Sequence, residues 1–122
     1  MFSTDELTRE ELLEVKNCDS IGGDEEFYQM ILGMVLESVD EKMAVLIKAD
    51  VQADAALLFE TAHAIKGSAL QCSLNKLGTA AEEVEFAFKG NAEVDLETKR
   101  KLLEDLLFEC TRTVNTIRRL PK

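Results

Sequence analysis

The strongest constraint on the fold is one row of apolar residues in the middle of the chain. Spacings of four and three residues alternate along it: Val51, Ala55, Leu58, Ala62, Ile65, Ala69 and Cys72. A helix brings residues at these spacings onto one stripe, whereas a half-buried strand would alternate with a period of two. The row therefore predicts a long helix whose stripe faces the core of a helical bundle.

The segment before this row predicts two further helices. Thr8 and Glu11 have the spacing of a capping box, which opens a short helix over residues 8–17. The sequence SIGGD then reads as a turn, and Asp24 can cap a second helix that runs to about Asp50. The second helix carries two apolar stripes: Phe27, Ile31 and Met34, and Leu32, Leu36, Val39, Met43 and Leu46. Two stripes indicate a helix that is contacted from both sides.

The segment after the row predicts two more helices. Ser73 can cap a fourth helix that ends at Gly90 and carries an apolar stripe: Leu74, Leu77, Ala81, Val84 and Phe88. A fifth helix after NAEVD carries another: Leu96, Leu103, Leu106 or Leu107, Cys110, Val114 and Ile117. The only proline is Pro121, near the C-terminus. We predict an all-α fold, an antiparallel four-helix bundle with an additional short N-terminal helix as a lid, in a single domain over residues 1–122.

Charge and cysteine content restrict the partners. Residues 1–60 hold 15 acidic and 4 basic side chains, against 9 and 10 in residues 61–122. Without a basic stripe, nucleic acid is not expected as a partner. No apolar run of about 18 residues indicates a membrane span. The three cysteines form no C-x-x-C pair, and with one histidine a zinc site is not expected. These features favour a reduced, cytoplasmic protein.

His63, the only histidine, lies about 130° from the centre of the core-facing stripe of its helix, so we expect it to face solvent. Lys66 follows one turn later on the same face, within reach of an anion on the imidazole. Gly67 costs a helix interior roughly 1 kcal/mol relative to alanine, but it removes a side chain that would crowd that anion. Phe59 and Leu70 add apolar surface around the histidine, which suggests a docking surface.

The stretch AHAIKGSALQCS resembles the signature of the histidine-containing phosphotransfer (HPt) domains of two-component phosphorelays. The motif His-x-x-Lys-Gly-Ser/Ala is matched by His63, Lys66, Gly67 and Ser68. On the next helix, a small residue followed by Leu-Glu is matched by Ala81, Val84 and Glu85, and the start GGDEEFYQMIL of the long helix is also similar. Two positions differ: Gln71 stands where the family often has Asn, and Ser73 where it often has Gly. Because Ser73 gives up easy access to the left-handed backbone region, we expect a different turn after the third helix.

The resemblance implies a phosphoryl shuttle. His63 would take a phosphoryl group from a phospho-aspartate on the receiver domain of a response regulator and pass it to another receiver. Lys66 and the Gln71 amide would stabilise the phosphate, and the partner would dock on the surface formed by Ala56, Phe59, Gly67 and Leu70. A hybrid sensor histidine kinase is the expected upstream partner. Mg²⁺ would belong to the receiver, so this chain would need no cofactor of its own.

Two alternatives concern the class of protein. No Gly-rich nucleotide loop or kinase signature is present, so we expect a phosphocarrier and not an enzyme, acting as a monomer. A helical adaptor or secretion-type chaperone would also explain the apolar surface and the acidity, but it would leave His63, Lys66 and Gly67 as a coincidence.

Overall fold

Five helices and no strand occur in the computed structural model, which describes residues 5–90 and 93–121. The helices are α1 (Arg9–Lys16), α2 (Glu25–Lys48), α3 (Ala55–Gln71), α4 (Asn75–Ala87) and α5 (Leu96–Arg119). The prediction of an all-α chain with a short N-terminal helix is confirmed. Of the predicted turn NAEVD, Asn91 and Ala92 lie outside the described residues. Within the described ranges, no helix is long and apolar enough to cross a membrane.

The four long helices enclose one core. α3 packs against α4, α4 against α5, α5 against α2, and α2 against α3, which closes a four-helix bundle. The predicted stripe of α3 lies inside it, with Leu58, Ala62 and Ile65 all buried. Val51 was predicted on this helix, but it lies in the turn before α3, where the Asp50 carboxylate accepts hydrogen bonds from the main chain of Gln52 and Ala53.

The two stripes predicted on α2 differ in burial. Leu32, Val39 and Leu46 of the second stripe are buried in the bundle. Phe27 and Ile31 of the first stripe are only half-buried, and Met34 is exposed. The prediction that α2 is contacted from both sides is confirmed, because α2 packs against both α3 and α5, but the first stripe is not fully covered. The first stripe instead lines a groove of 340 Å³ between α2 and the C-terminal part of α3.

Three predicted boundaries are set by side-chain caps. Thr8 accepts from the main-chain N–H of Glu11 while Glu11 accepts from that of Thr8, so the capping box is present. Asp24 accepts from the main-chain N–H of Phe27, and Asp95 caps α5 in the same way. These contacts confirm the starts of α1 and α2 read from the sequence.

The turn between α3 and α4 corrects two predictions about Ser73. Leu74, not Ser73, occupies the N-cap position of α4, and it makes no side-chain cap. Ser73 has a φ of 62°, so it adopts the left-handed conformation that we expected a serine to lose. Ser73 N–H donates to the Leu70 carbonyl and Leu74 N–H to the Ala69 carbonyl. This is the Schellman pattern of a helix C-terminus, with serine in the position that usually holds glycine.

Polar contacts attach α1 and the residues before it to α5. The main-chain N–H of Leu7 donates to Thr116 Oγ1 at 2.7 Å. Arg112 on α5 donates to Glu11 on α1 at 2.5 Å and to Glu109 on its own helix at 2.6 Å. Val15 on the inner side of α1 is fully buried. The short helix is therefore held by both a core contact and a charged cluster.

Candidate functional site

His63 lies on the side of α3 that faces away from the core. Its neighbours Ala62 and Ile65 are buried, whereas 66% of the His63 side chain is exposed. The predicted solvent-facing position of the histidine is therefore confirmed. The regular helix fixes this outcome, because residues adjacent in sequence differ by about 100° in direction around the axis.

Two side chains contact the His63 imidazole. Nδ1 lies 3.0 Å from Oε2 of Glu85 on α4. The Phe59 ring, one turn earlier on α3, is nearly parallel to the imidazole, with an interplanar angle of 8° and a centroid separation of 6.4 Å. Nδ1 is thereby engaged with the protein, while the ring as a whole stays open to solvent.

Lys66 contacts the same carboxylate. Its Nζ lies 3.0 Å from Oε1 of Glu85, so each carboxylate oxygen binds a different partner. The exposed fractions are 23% for the Lys66 side chain and 18% for Glu85, well below that of His63. Partial burial by itself would raise the pKa of Glu85, but the hydrogen bonds from Lys66 and His63 and their positive charges outweigh it, and the pKa is lowered. Glu85 is thus held in its ionised form.

Gly67 faces open space. Among the described residues, no atom of a neighbouring element lies within 4 Å of the position that a β-carbon would take there. Its φ is not in the left-handed region, so the backbone does not require glycine. Packing does not require glycine at this position either, and access to His63 remains the predicted reason for it.

The other residues predicted for docking or phosphate contact lie along the same helix. Ala56 and Leu70 are exposed and Phe59 is half-buried, so α3 presents an interrupted apolar surface on both sides of His63. Gln71 is also exposed, but eight residues correspond to about 12 Å of rise along the helix axis. Its side chain lines the groove beside Met34 on α2. Contact between Gln71 and a phosphate on His63 stays a prediction.

Two residues of α4 make contacts with α3 that were not predicted from the sequence. Glu85 entered the resemblance only as part of a pattern, yet it joins His63 to Lys66. Glu85 lies 22 residues after His63 and on a different helix. The spacing of residues along one helix therefore could not reveal this contact. Gly78 is buried against α3, where a β-carbon would come within 2.5 Å of Leu70 Cδ2. The lack of a side chain here lets the Leu70 side chain pack against α4.

The described part of the chain holds no group of three or more His, Cys, Asp or Glu side chains that could bind a metal ion. The three cysteines are free thiols, and burial raises the pKa of Cys110 to about 12. On the α4 side of the site, a cavity of 780 Å³ is lined by Phe59, Lys66, Glu85, Phe86 and other side chains. The exposed imidazole is the one group in this arrangement that combines nucleophilic chemistry with access for a macromolecule.

A helical bundle that presents an exposed histidine beside a lysine and an open glycine is the arrangement that the sequence resemblance predicts. The family model described as "Hpt domain" matches residues 30–118, which include all of α3 and α4. The chain belongs to the Hpt family, whose members are phosphotransfer domains of two-component systems. They carry phosphoryl groups between kinases and response regulators and are not kinases themselves. Comparison with curated proteins and with solved structures gives no match.

Proposed function

We propose that His63 is the residue that carries the phosphoryl group, accepting it from a phospho-aspartate of one receiver domain and donating it to an aspartate of another. One observation supports this most strongly: the only histidine of the chain lies exposed on α3, within the matched family segment. A phosphocarrier of this kind needs a nucleophile that a receiver domain can reach, and the exposed imidazole meets this requirement.

The transfer step uses the imidazole lone pair on Nε2. Nε2 attacks the phosphorus of the acyl phosphate, an N–P bond forms, and the P–O bond to the aspartate breaks. The aspartate leaves as a carboxylate, and the ring takes up positive charge while it carries the phosphoryl group. Such a reaction is dominated by positioning and charge stabilisation. Mg²⁺ held by the receiver would offset charge on the phosphoryl oxygens, and this chain supplies the nucleophile and the docking surface.

Docking on the apolar surface around His63 would bring the two active groups together. Ala56, Phe59 and Leu70 surround the histidine, and the open space at Gly67 allows a receiver loop to come close. Phe27, Ile31 and Met34 extend the apolar surface along the groove beside α3. A hybrid sensor histidine kinase would supply the first receiver domain.

The experiment that tests this proposal compares the parent protein with His63→Gln. Both are incubated with a panel of receiver domains charged with radiolabelled acetyl phosphate. We expect acid-labile, base-stable label on the parent and none on His63→Gln. Because the residue is exposed, the free energy of unfolding should change by no more than about 0.5 kcal/mol.

Two results would contradict the proposal. Label on His63→Gln would place the phosphoryl group elsewhere in the chain. Binding of receivers without any labelling of the parent would instead favour an adaptor that uses the apolar surface alone. Urea unfolding of both proteins serves as the control, because a large loss of stability in His63→Gln would leave the absence of label ambiguous; His63→Asn then replaces it.

A further inference from the structure

The outer face of α4 and α5 exposes two phenylalanines. Phe86 on α4 is 63% exposed, and Phe108 on α5 is 43% exposed. Phe86 lines the cavity of 780 Å³ described above, and Phe108 lines a second cavity, of 380 Å³, between the same two helices. Thr79 and Glu83 line both cavities, which therefore continue into each other along α4. Large apolar side chains that protrude beside a groove are typical of a surface that contacts another protein.

The same surface carries charges of both signs without ion-pair partners. Four exposed residues at spacings of three or four form one stripe along α4: Lys76, Thr79, Glu83 and Phe86. Among the described residues, neither Lys76 nor Glu83 makes an ion pair. α4 and α5 both belong to residues 61–122, which hold 9 acidic and 10 basic side chains. A copy of this surface would therefore meet charges of the opposite sign and no large excess of one sign.

We propose that two copies of this chain form a dimer through this stripe of α4 and the adjoining side of α5, here called the α4–α5 face. Phe86 of each copy is then seated in the cavity beside Phe108 of the other. The proposal does not depend on a phosphoryl group, and it replaces the monomer expected from the sequence. A contact in which the same surface serves both copies is the commonest arrangement in homo-oligomers.

The order of residues along the stripe fits a two-fold axis near Thr79. Thr79 lies almost half-way between Lys76 and Glu83, so this axis makes the two α4 helices antiparallel and sets each lysine opposite the glutamate of the other copy. The Phe86 side chain leans towards the N-terminus of its helix, so it reaches the level of Asn75 in the second copy, where the smaller cavity lies. Each copy thus presents a projecting ring at one end of α4 and a cavity at the other. A face whose two ends match each other in this way fits a second copy of itself better than a partner with one sign of charge.

The first measurement is sedimentation velocity at protein concentrations from about 1 µM to about 1 mM, a range that covers weak and moderate dimers. We expect the sedimentation coefficient of the parent to rise with concentration from that of a monomer to that of a dimer. Phe86→Asp should raise the dissociation constant at least about thirtyfold, because an aromatic side chain seated in a pocket is a typical hot spot. Ile47→Asp is the matched control, because Ile47 is also 63% exposed and also lies one residue before the end of its helix, but on α2. It should dimerise like the parent.

The second measurement exchanges charges between the copies. Lys76→Glu and Glu83→Lys should each weaken the dimer about tenfold or more, because each variant alone brings like charges together at both equivalent contacts. In an equimolar mixture of the two variants, the mixed dimer again pairs opposite charges at both contacts, so association should return to nearly the parental strength. A charge effect confined to one chain cannot be reversed by mixing two chains. Both residues are exposed, so the melting temperature of each variant should stay close to that of the parent.

Three results would overturn the inference. A parent that stays monomeric up to about 1 mM would show that a second copy does not bind the α4–α5 face. A dimer that Phe86→Asp does not weaken would lie on another surface; if that variant loses thermal stability, Phe86→Ser replaces it. A mixture of Lys76→Glu and Glu83→Lys that associates no better than either variant alone would exclude the pairing of these residues. His63→Gln should dimerise like the parent, so failure of the dimer and failure of the proposed phosphotransfer remain distinguishable.

Discussion

Two clusters of charged and polar side chains connect helices of this bundle, and they differ in how far they are exposed to solvent. In the first, Glu85 accepts from His63 and Lys66 between α3 and α4. In the second, Arg112 donates to Glu11 and Glu109 between α1 and α5. In each cluster, one central charged side chain binds two partners. The central Arg112 side chain is only 8% exposed, with Glu11 at 20% and Glu109 at 15%. His63 in the first cluster is 66% exposed.

The difference teaches how burial separates a structural cluster from a reactive one. Arg112 is permanently charged and binds both carboxylates, and all three side chains are largely shielded from solvent, so no group of this cluster is open to a partner protein. Its members satisfy one another and fasten α1 to the bundle. The first cluster ends in an imidazole that one partner holds and that solvent or a protein can reach. Hydrogen bonds to a carboxylate thus fasten α1 to the bundle in one cluster and hold the exposed His63 imidazole in the other.

The largest effect on stability is expected from removing Arg112 from the more buried cluster, which it forms with Glu11 and Glu109. Arg112→Ala leaves two partly buried carboxylates without their cation, and removing one partner of a buried pair costs about 3–5 kcal/mol. We expect a loss of about 3 kcal/mol in urea unfolding, at the lower end of that range, because Glu11 and Glu109 retain some exposure. Lys66→Ala is the matched control in the more exposed cluster of Glu85, His63 and Lys66, here called the open cluster. It should lower the free energy of unfolding by less than about 1 kcal/mol. Equal losses for the two variants would refute the distinction between the clusters.

A smaller effect, on function and not on stability, is expected from adding charge to the open cluster. Gly67→Glu meets open space, so the variant should be at least as stable as the parent and gain up to about 1 kcal/mol from the loss of glycine. A carboxylate one turn from His63 would repel the phosphoryl group and obstruct the receiver. We expect transfer to slow tenfold or more, measured on the same preparations as the melting temperature.

Gly33 provides the control for this substitution. It also lies inside a helix, and no described atom of a neighbouring element comes within 4 Å of the position that a β-carbon would take. It borders a groove with Ile117 and Arg118, away from His63. Gly33→Glu should therefore repeat the stability change and leave transfer at the parental rate. A Gly67→Glu protein that transfers phosphate normally would remove access as the reason for Gly67.

The sequence was sufficient for the features that depend on one helix. The stripe through Leu58 and Ile65, the capping box of α1 and the exposure of His63 are set by helical periodicity and local hydrogen bonds. These properties are fixed within a few residues, and the structure confirms them. The domain assignment to residues 1–122 and the roles of the docking residues stay predictions.

Features that depend on two elements could not be read in this way. The contact of His63 with Glu85 requires the distance between α3 and α4, which the pattern of a single helix does not give. The partners of Arg112 come from α1 and from its own helix, and no spacing relates Glu11 to it across 101 residues. Ser73 shows a further limit, because the hydrogen bonds that end α3 hold a serine at a φ of 62° against its usual preference.

The smallest expected effect is a difference between the clusters in acid. Burial alone would raise the pKa of Glu11, but hydrogen bonds from the Thr8 main chain and from Arg112, together with the positive charge of Arg112, lower it. A carboxyl group with a lowered pKa in the folded state stabilises the protein fully above its unfolded value of about 4.3. That contribution is lost as the pH falls through the lower folded value. The pKa of Glu85 is also lowered, so its contribution to stability should be lost over the same direction of pH change.

The test compares the parent with Glu11→Gln and Glu85→Gln by urea unfolding between about pH 6 and pH 3. Since glutamine cannot ionise, the gap between the parent and each variant should be largest near pH 6 and should close as the pH falls. We expect the Glu11 gap to exceed the Glu85 gap, because Arg112 is nearly buried while His63 is largely exposed, with a difference on the order of 0.5 kcal/mol. A constant gap across the pH range would mean that the carboxyl group titrates alike in the folded and unfolded chains. A larger gap for Glu85 would show that the cluster of Glu85, His63 and Lys66 contributes more to stability than the cluster of Arg112. It would then have to be regarded as part of the framework of the bundle.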